Sequence, residues 1–106
     1  MTDSEYLSLA EAALKQIEAA IDGSDADLEY ERSGNVLTLE FEDRSKIIVN
    51  LQAAMHEIWI AARSGGFHFK HDGTQWRDTR SGDEFFAALS RYASEQAGET
   101  VSFAQD

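Results

Sequence analysis

The spacing of apolar residues changes twice along this chain, and these changes restrict the fold more than any other feature of the sequence. Over residues 5–21 apolar side chains recur at the spacing of one helix face, about 100° per residue. From residue 27 to residue 78 the spacing is two, in short segments bounded by turn residues. Helical spacing returns after residue 83. The chain is therefore predicted to form a helix, a series of antiparallel strands and a second helix.

The first helix has a start signal and a stop signal. Thr2 and Glu5 have the spacing of a capping box, and Gly23 with Ser24 ends the segment. The apolar arc of this helix is expected to face the core. It consists of Tyr6, Ala10, Ala13, Ile17 and Ile21, flanked by Leu9 and Leu14.

Five or six strands are predicted between the helices. The chain contains no proline, so its turns must be made by Gly, Asn, Asp or Ser. Residues 33–35 predict a hairpin turn, and Asp72-Gly73 predicts a two-residue hairpin loop. Gly65-Gly66 is expected to interrupt the strand pattern before the strand at residues 67–69. The predicted strands cover residues 28–31, 36–41, 46–51, 58–60, 67–69 and 74–78.

The second helix is predicted to begin at a cap formed by Ser81 or Asp83 and to end at Gly98. The tail that follows keeps two apolar residues, Val101 and Phe103, which are expected to fold back onto the core. The predicted apolar face of the helix consists of Phe85, Phe86, Leu89, Tyr92 and Ala93.

This order of elements predicts an α+β fold, a two-layer sandwich in which an antiparallel sheet packs on two helices. With 106 residues, 42% of them hydrophobic, the chain is expected to form one domain over residues 1–106. Strand alternation places Ile58 and Ile60 on one face and Trp59 on the other. If the isoleucines face the helices, Trp59 lies on the open face, where a large aromatic residue indicates an interaction surface.

The charge of the chain excludes several classes of partner. Lys and Arg number 9 against 20 Asp and Glu, a formal net charge of −11, so neither nucleic acid nor an anionic membrane surface is expected to bind. Because the chain has no cysteine, disulfides, thiolate nucleophiles and cysteine-ligated metals are excluded. It also has no apolar run of membrane-spanning length, and its amino terminus is acidic, so a cytoplasmic protein is expected.

The acidic residues are concentrated in the first part of the chain. Residues 1–43 carry twelve acidic and two basic residues, against eight and seven in residues 44–106. On a helical wheel Glu18 and Asp22 fall within about 20° of Glu11, with Lys15 among them. Four further carboxylates continue the series and are expected, from Asp27 onward, to share one strand face. They are Asp25, Asp27, Glu29 and Glu31.

Two interpretations of these carboxylates remain open from the residues alone. One is a solvated face that keeps a small protein soluble. The other is a surface that binds hard cations through oxygen ligands, weakly and with little selectivity, because no EF-hand spacing is present. His68 and His71 are predicted to point to opposite faces of a strand and form no chelating pair. No motif for a nucleophile or a phosphate loop is present.

In five segments the sequence resembles the bacterial frataxins, the CyaY family. Each segment is short, but they occur in the family's order, follow an acidic first helix and span nearly the whole chain. In two places the pattern differs: Ala54 stands where the family has a proline, and the connection around Gly23-Ser24 is shorter. The five segments are Ser33–Leu39, Ser45–Gln52, Glu57–Ala61, Ser64–Phe69 and Gln96–Phe103.

The resemblance implies a regulator of iron–sulfur cluster assembly that weakly binds ferrous or ferric iron and is not itself an enzyme. The implied partners are the cysteine desulfurase and the scaffold protein, and the implied state is a monomer that can oligomerise with iron. An iron donor and a weak ferroxidase are the alternatives. The implied iron ligands, which we call the acidic ridge, are Glu11, Glu18, Asp22, Asp25, Asp27, Glu29 and Glu31. The implied partner contacts are Asn50, Gln52 and Trp59.

Overall fold

The computed structural model describes residues 1–103 and contains the elements in the predicted order. Residues 104–106, the end of the predicted tail, lie outside the described residues. A single turn of 3₁₀ helix, Ala53–Met55, separates the third and fourth strands. The helices are α1, Asp3–Asp22, and α2, Phe85–Ala97. The strands are β1, Leu28–Ser33; β2, Val36–Phe41; β3, Lys46–Gln52; β4, Glu57–Ala62; β5, Gly65–His71; and β6, Trp76–Asp78.

The six strands form one antiparallel sheet in sequential order from β1 to β6. Two helices pack on this sheet, so the predicted α+β sandwich is confirmed. Alternation sets which side chains enter the core: Leu37, Leu39 and Phe41 of β2 are all buried, and so are Ile58 and Ile60 of β4. The opposite side of the sheet, which we call the open face, carries the intervening residues.

The start of α1 and its buried arc agree with the sequence. Thr2 and Glu5 form the predicted capping box, in which each side chain accepts a hydrogen bond from the other residue's backbone N–H. Tyr6 joins the helix to β4: its buried hydroxyl donates a hydrogen bond to the backbone carbonyl of Glu57 at 2.8 Å. The buried residues of α1 are Tyr6, Ala10, Ala13, Leu14, Ile17 and Ile21.

The cap of α2 is not the predicted one. Its N-cap is Glu84, whose carboxylate accepts hydrogen bonds from the N–H groups of Phe86 and Ala87 at 2.8 and 3.0 Å. Both predicted caps have other partners: the Ser81 hydroxyl accepts from the N–H of Asp83, and the carboxylate of Asp83 pairs with Arg91. Ser81 is therefore engaged within the preceding loop, and Asp83 is engaged by a side chain of α2 and not by the helix N–H groups.

The apolar face and the end of α2 follow the prediction with one exception. Phe86 is half-buried, because the buried stripe runs through Phe85, Leu89 and Tyr92. Gly98 ends the helix with a φ of 71°, a conformation in which glycine is favoured.

The two glycine-containing turns after β4 differ from their predictions. Gly65 and Gly66 belong to β5 and pair with Ala62 and Ala61, so residues 63–64 make the turn. The φ of Gly65 is 144°, which explains a glycine at the first position after so tight a turn.

Asp72-Gly73 does not form a two-residue loop. His71 pairs with Trp76, which leaves a four-residue loop and starts the last strand at Trp76. The carboxylate of Asp72 accepts from the N–H groups of Thr74 and Gln75 at 2.8 Å each. These bonds hold the pKa of Asp72 well below its usual range. The aspartate therefore stabilises a longer loop than the dipeptide alone predicts.

The tail folds back as predicted as far as it is described. Val101 and Phe103 are buried. Val101 exchanges hydrogen bonds with the hydroxyl of Ser94, and the N–H of Phe103 donates to the hydroxyl of Ser90 at 2.8 Å. The carbonyl of Phe103 accepts from the side chain of Gln16 on α1. The tail thus joins the two helices.

Candidate functional site

The acidic ridge begins on α1, where two of its carboxylates are held against β1. Arg32 of β1 donates to Glu11 through both of its terminal nitrogens, with 2.8 Å between Nη1 and Oε2. This hydrogen bond and the positive charge lower the pKa of Glu11 from its ordinary value. At the last residue of the helix, Asp22, both carboxylate oxygens lie 3.0 Å from the Tyr30 hydroxyl. That contact raises the pKa of Tyr30.

The remaining ridge carboxylates continue around the edge strand. Asp25 and Asp27 lie in the connection before β1, so Asp27 is not on the strand as predicted. Glu29 and Glu31 are exposed on the open face, opposite to α1, because the buried Leu28 sets the alternation of β1. The ridge therefore wraps the β1 edge of the molecule, with its helix members on one side and its strand members on the other.

The donor chemistry of the ridge suits a loosely held hard cation. All seven donors are carboxylates, which hard cations prefer. Within residues 1–103 no three His, Cys, Asp or Glu side chains are grouped so that they could hold a metal ion. A cation here would therefore meet one or two carboxylates and keep water as its other ligands. The role of the seven residues in iron binding stays a prediction.

The three predicted partner contacts all lie on the open face. Asn50 of β3 pairs with Trp59 of β4, and Gln52 pairs with Glu57. The predicted position of Trp59 is confirmed: Ile58 and Ile60 are buried, and Trp59 between them is half-buried. The structure brings these residues together, and their role as contacts stays a prediction.

Trp59 is packed against the neighbouring strand. Its indole ring stacks on the imidazole of His68 across the β4–β5 pair, with ring centroids 4.1 Å apart and an interplanar angle of 5°. His71 points to the other face and contacts Trp76, as the alternation predicts. The plane of the Trp59 indole ring is thus fixed by the His68 side chain of the adjacent strand.

Sequence reasoning missed Glu57, a carboxylate with only 4% of its surface exposed. Its Oε1 accepts a hydrogen bond from the Trp59 indole N–H at 2.6 Å and lies 3.7 Å from Nδ1 of His68. Its Oε2 lies 3.8 Å from Nζ of Lys70. We call Glu57, Trp59, His68 and Lys70 the tryptophan cluster. Alternation on β4 and β5 places all four on one face, which is the signal from which the cluster could have been predicted.

Neither helix in residues 1–103 combines the length and the apolar character needed to cross a membrane.

Comparison with known proteins gives a consistent result over the whole chain. A family model described as a frataxin-like domain matches residues 1–99. The iron–sulfur cluster assembly protein CyaY of Paraburkholderia xenovorans is 72% identical over 103 residues, covering 97% of this chain and 98% of that protein. The protein of the same name from Cupriavidus metallidurans is 58% identical, covering 96% of each. A solved frataxin from Psychromonas ingrahamii has a TM-score of 0.92 at 42% identity and covers 99% of this chain and 100% of that chain.

Proposed function

The chain belongs to the frataxin-like family, and we propose that it is an iron-binding regulator of cytoplasmic iron–sulfur cluster assembly that acts by binding the cysteine desulfurase through its acidic ridge. The observation that carries this proposal is the arrangement of seven carboxylates around one edge of a protein whose relatives are named iron–sulfur cluster assembly proteins. The second partner in the proposal is the scaffold protein, met directly or within the complex with the desulfurase.

The ridge supports recognition of a basic protein surface. Two of its members, Asp22 and Glu29, sit on opposite sides of β1, and both are exposed. A partner that contacts both sides of the β1 edge meets negative charge on each side. Complementary charge of this kind raises the association rate and loses its effect as salt screens it.

The open face supports a second, short-range contact. Trp59 presents an aromatic surface beside the polar side chains of Asn50 and Gln52. Tryptophan is enriched among the residues that dominate binding energy at protein interfaces. We therefore assign charge-based encounter to the ridge and the close contact to Trp59.

Iron acts in this proposal as an effector carried on the ridge. The exposed carboxylates can bind it weakly, and each bound cation reduces the negative charge that the partner meets. Iron concentration would thereby change the affinity of the protein for the desulfurase. The same exposure favours rapid release of iron, which supports the alternative of an iron donor to the scaffold.

The test of the proposed function is reversal of Glu18, Asp22 and Asp25 to Lys in one variant. Desulfurase binding, measured by calorimetry with and without ferrous iron, is expected to be abolished while the circular dichroism spectrum is unchanged. The control reverses Asp3, Glu95 and Glu99, three exposed acids that do not belong to the ridge, with the same change in net charge. Unchanged affinity in the ridge variant, or equal loss in both variants, would refute a specific role of the ridge.

The donor alternative makes a different prediction about iron transfer. If the protein supplies iron, clusters should form on the scaffold from the iron-loaded protein in the presence of a chelator that removes free iron. If it regulates, the chelator should stop assembly, and the iron-free protein should still bind the desulfurase. Cluster formation followed by absorbance separates the two.

A further inference from the structure

The tryptophan cluster contains a carboxylate whose burial requires an explanation. The side chain of Glu57 is 5% exposed although it belongs to the open face, where its neighbours His68 and Lys70 are 48% and 60% exposed. Removing a carboxylate from water is costly unless hydrogen bonds and opposite charges compensate it. Glu57 is thus an unusually placed residue on an otherwise solvated face.

The Glu57 carboxylate makes its shortest contact with Trp59. The 2.6 Å hydrogen bond from the Trp59 indole N–H is the only contact of this carboxylate, among the residues described, that has hydrogen-bond length. His68 and Lys70 stand farther away, at 3.7 and 3.8 Å. The ammonium group of Lys70 therefore supplies opposite charge to the carboxylate, and the indole N–H makes the directional hydrogen bond.

The second contact that restricts Trp59 is the stack on His68. A hydrogen bond at the edge of the ring fixes its rotation, and a parallel neighbour at 4.1 Å fixes its plane. Together they leave the indole little freedom before a partner arrives. A side chain that is already ordered loses less entropy on binding.

We propose that Glu57 is the positioning residue of the open face, holding the Trp59 indole by its N–H edge and flat against His68 in the orientation that the protein partner contacts. The partner contact of Trp59 rests on the proposed function. The positioning itself rests on the geometry of the cluster and can be measured without the partner.

One feature of the fold makes this proposal testable by substitution. Tyr6 of α1 contacts the backbone carbonyl of Glu57, not its side chain. Replacing the side chain therefore leaves the bond between helix and sheet in place. Glu57→Met keeps a similar volume without an acceptor for the indole N–H, and Glu57→Gln keeps an oxygen acceptor without the charge.

The direct readout is the nuclear magnetic resonance signal of the indole Nε1–H. The chain has two tryptophans, so the buried Trp76 provides an internal reference, and Trp59→Phe assigns the signals. In Glu57→Met the Trp59 signal is expected to move upfield and exchange faster with water, while that of Trp76 stays in place. Glu57→Gln is expected to restore both properties of the Trp59 signal.

The second readout is affinity for the cysteine desulfurase. We expect Glu57→Met to weaken binding about tenfold, and Glu57→Gln to remain within about twofold of the wild type. The charge control is Glu95→Met, an exposed acid on α2, which should leave affinity and both indole signals unchanged.

The outcomes separate this proposal from the proposed function. A Trp59 signal that is unchanged in Glu57→Met overturns the positioning role. So does wild-type affinity in Glu57→Met when Trp59→Ala weakens binding, or equal loss in the Met and Gln variants. Wild-type affinity in Trp59→Ala refutes the partner contact and leaves the positioning role to be decided by the indole signal alone.

Discussion

The acidic ridge and the tryptophan cluster both depend on carboxylates, but they place them in opposite environments. In the ridge seven carboxylates are spread around the β1 edge, and Asp22, Asp25, Asp27, Glu29 and Glu31 are exposed. In the tryptophan cluster a single carboxylate is buried, and three side chains of β4 and β5 lie within 3.8 Å of it. Within residues 1–103, only Glu11 and Asp22 of the ridge are held by a neighbouring side chain, whereas the other members of the tryptophan cluster all contact the Glu57 carboxylate.

The difference determines what each surface can recognise. Exposed charges act over the Debye length, about 10 Å at 0.1 M salt, and they tolerate changes in the position of any one member. A buried hydrogen bond acts at contact distance and fails if one partner moves. We therefore expect substitutions in the ridge to have small, cumulative and salt-dependent effects, and substitutions in the cluster to have large effects that salt does not alter.

Among single substitutions, the largest effect on binding is expected for Trp59→Ala. Removal of the indole should lower affinity for the desulfurase by about thirtyfold, a loss typical of a dominant aromatic contact. The free energy of unfolding should fall by about 1–2 kcal/mol, because the ring lies on the open face but its removal leaves the Glu57 carboxylate without the indole donor. The matched control is Phe69→Ala, which removes a fully buried ring from β5 and should cost about 3–5 kcal/mol of stability. A similar fall in melting temperature for both variants would contradict the open-face position of Trp59.

A smaller effect, dependent on salt, is expected for Glu18→Lys. At low salt its affinity for the desulfurase should fall about fivefold, since one charge of the ridge is reversed. At about 1 M salt, where the Debye length is about 3 Å, most of this difference should disappear. The loss in Trp59→Ala should be the same at both salt concentrations. Titrations of both variants at two ionic strengths test this, and parallel salt dependence in the two variants would remove the distinction between the surfaces.

The sequence predicts those parts of the molecule in which periodicity decides the outcome. The order of helices and strands, the buried faces of the helices and the open-face position of Trp59 all follow from which residues must be buried together. The same rule, applied to the buried Leu28, would have placed Glu29 and Glu31 opposite to α1. The wrap of the ridge around β1 was therefore predictable but missed.

Other features depend on competition that the sequence does not display. Ser81 and Asp83 have the right chemistry for a helix cap, but Ser81 bonds within the loop, Asp83 pairs with Arg91 of α2, and Glu84 takes the cap position. Alternation places Glu57 on the open face with His68 and Lys70, but its burial there depends on the strand register and on the bond from the Trp59 indole. Both cases turn on which partner a polar side chain finds, and hydrophobic patterning carries no information about that choice.

The smallest expected effect concerns Arg32, the one basic residue that contacts the ridge among the ion pairs of residues 1–103. Its hydrogen bond lowers the pKa of Glu11 below the ordinary value of 4.5. A carboxylate with a depressed folded-state pKa contributes stability above its unfolded pKa and loses that contribution as pH falls through the folded pKa. Arg32→Gln should therefore reduce the free energy of unfolding at pH 7 by about 0.5 kcal/mol. The gap to the wild type should narrow as the pH falls through the lowered folded-state pKa of Glu11 and close below it, as urea denaturation at a series of acid pH values can show. A gap of equal size at low pH would mean that Arg32 stabilises the fold through packing and not through Glu11.

The same substitution also removes the positive charge beside the ridge, so affinity for the desulfurase should rise by about twofold at low salt. If the two surfaces act independently, the gain in affinity should be the same when Trp59→Ala is also present.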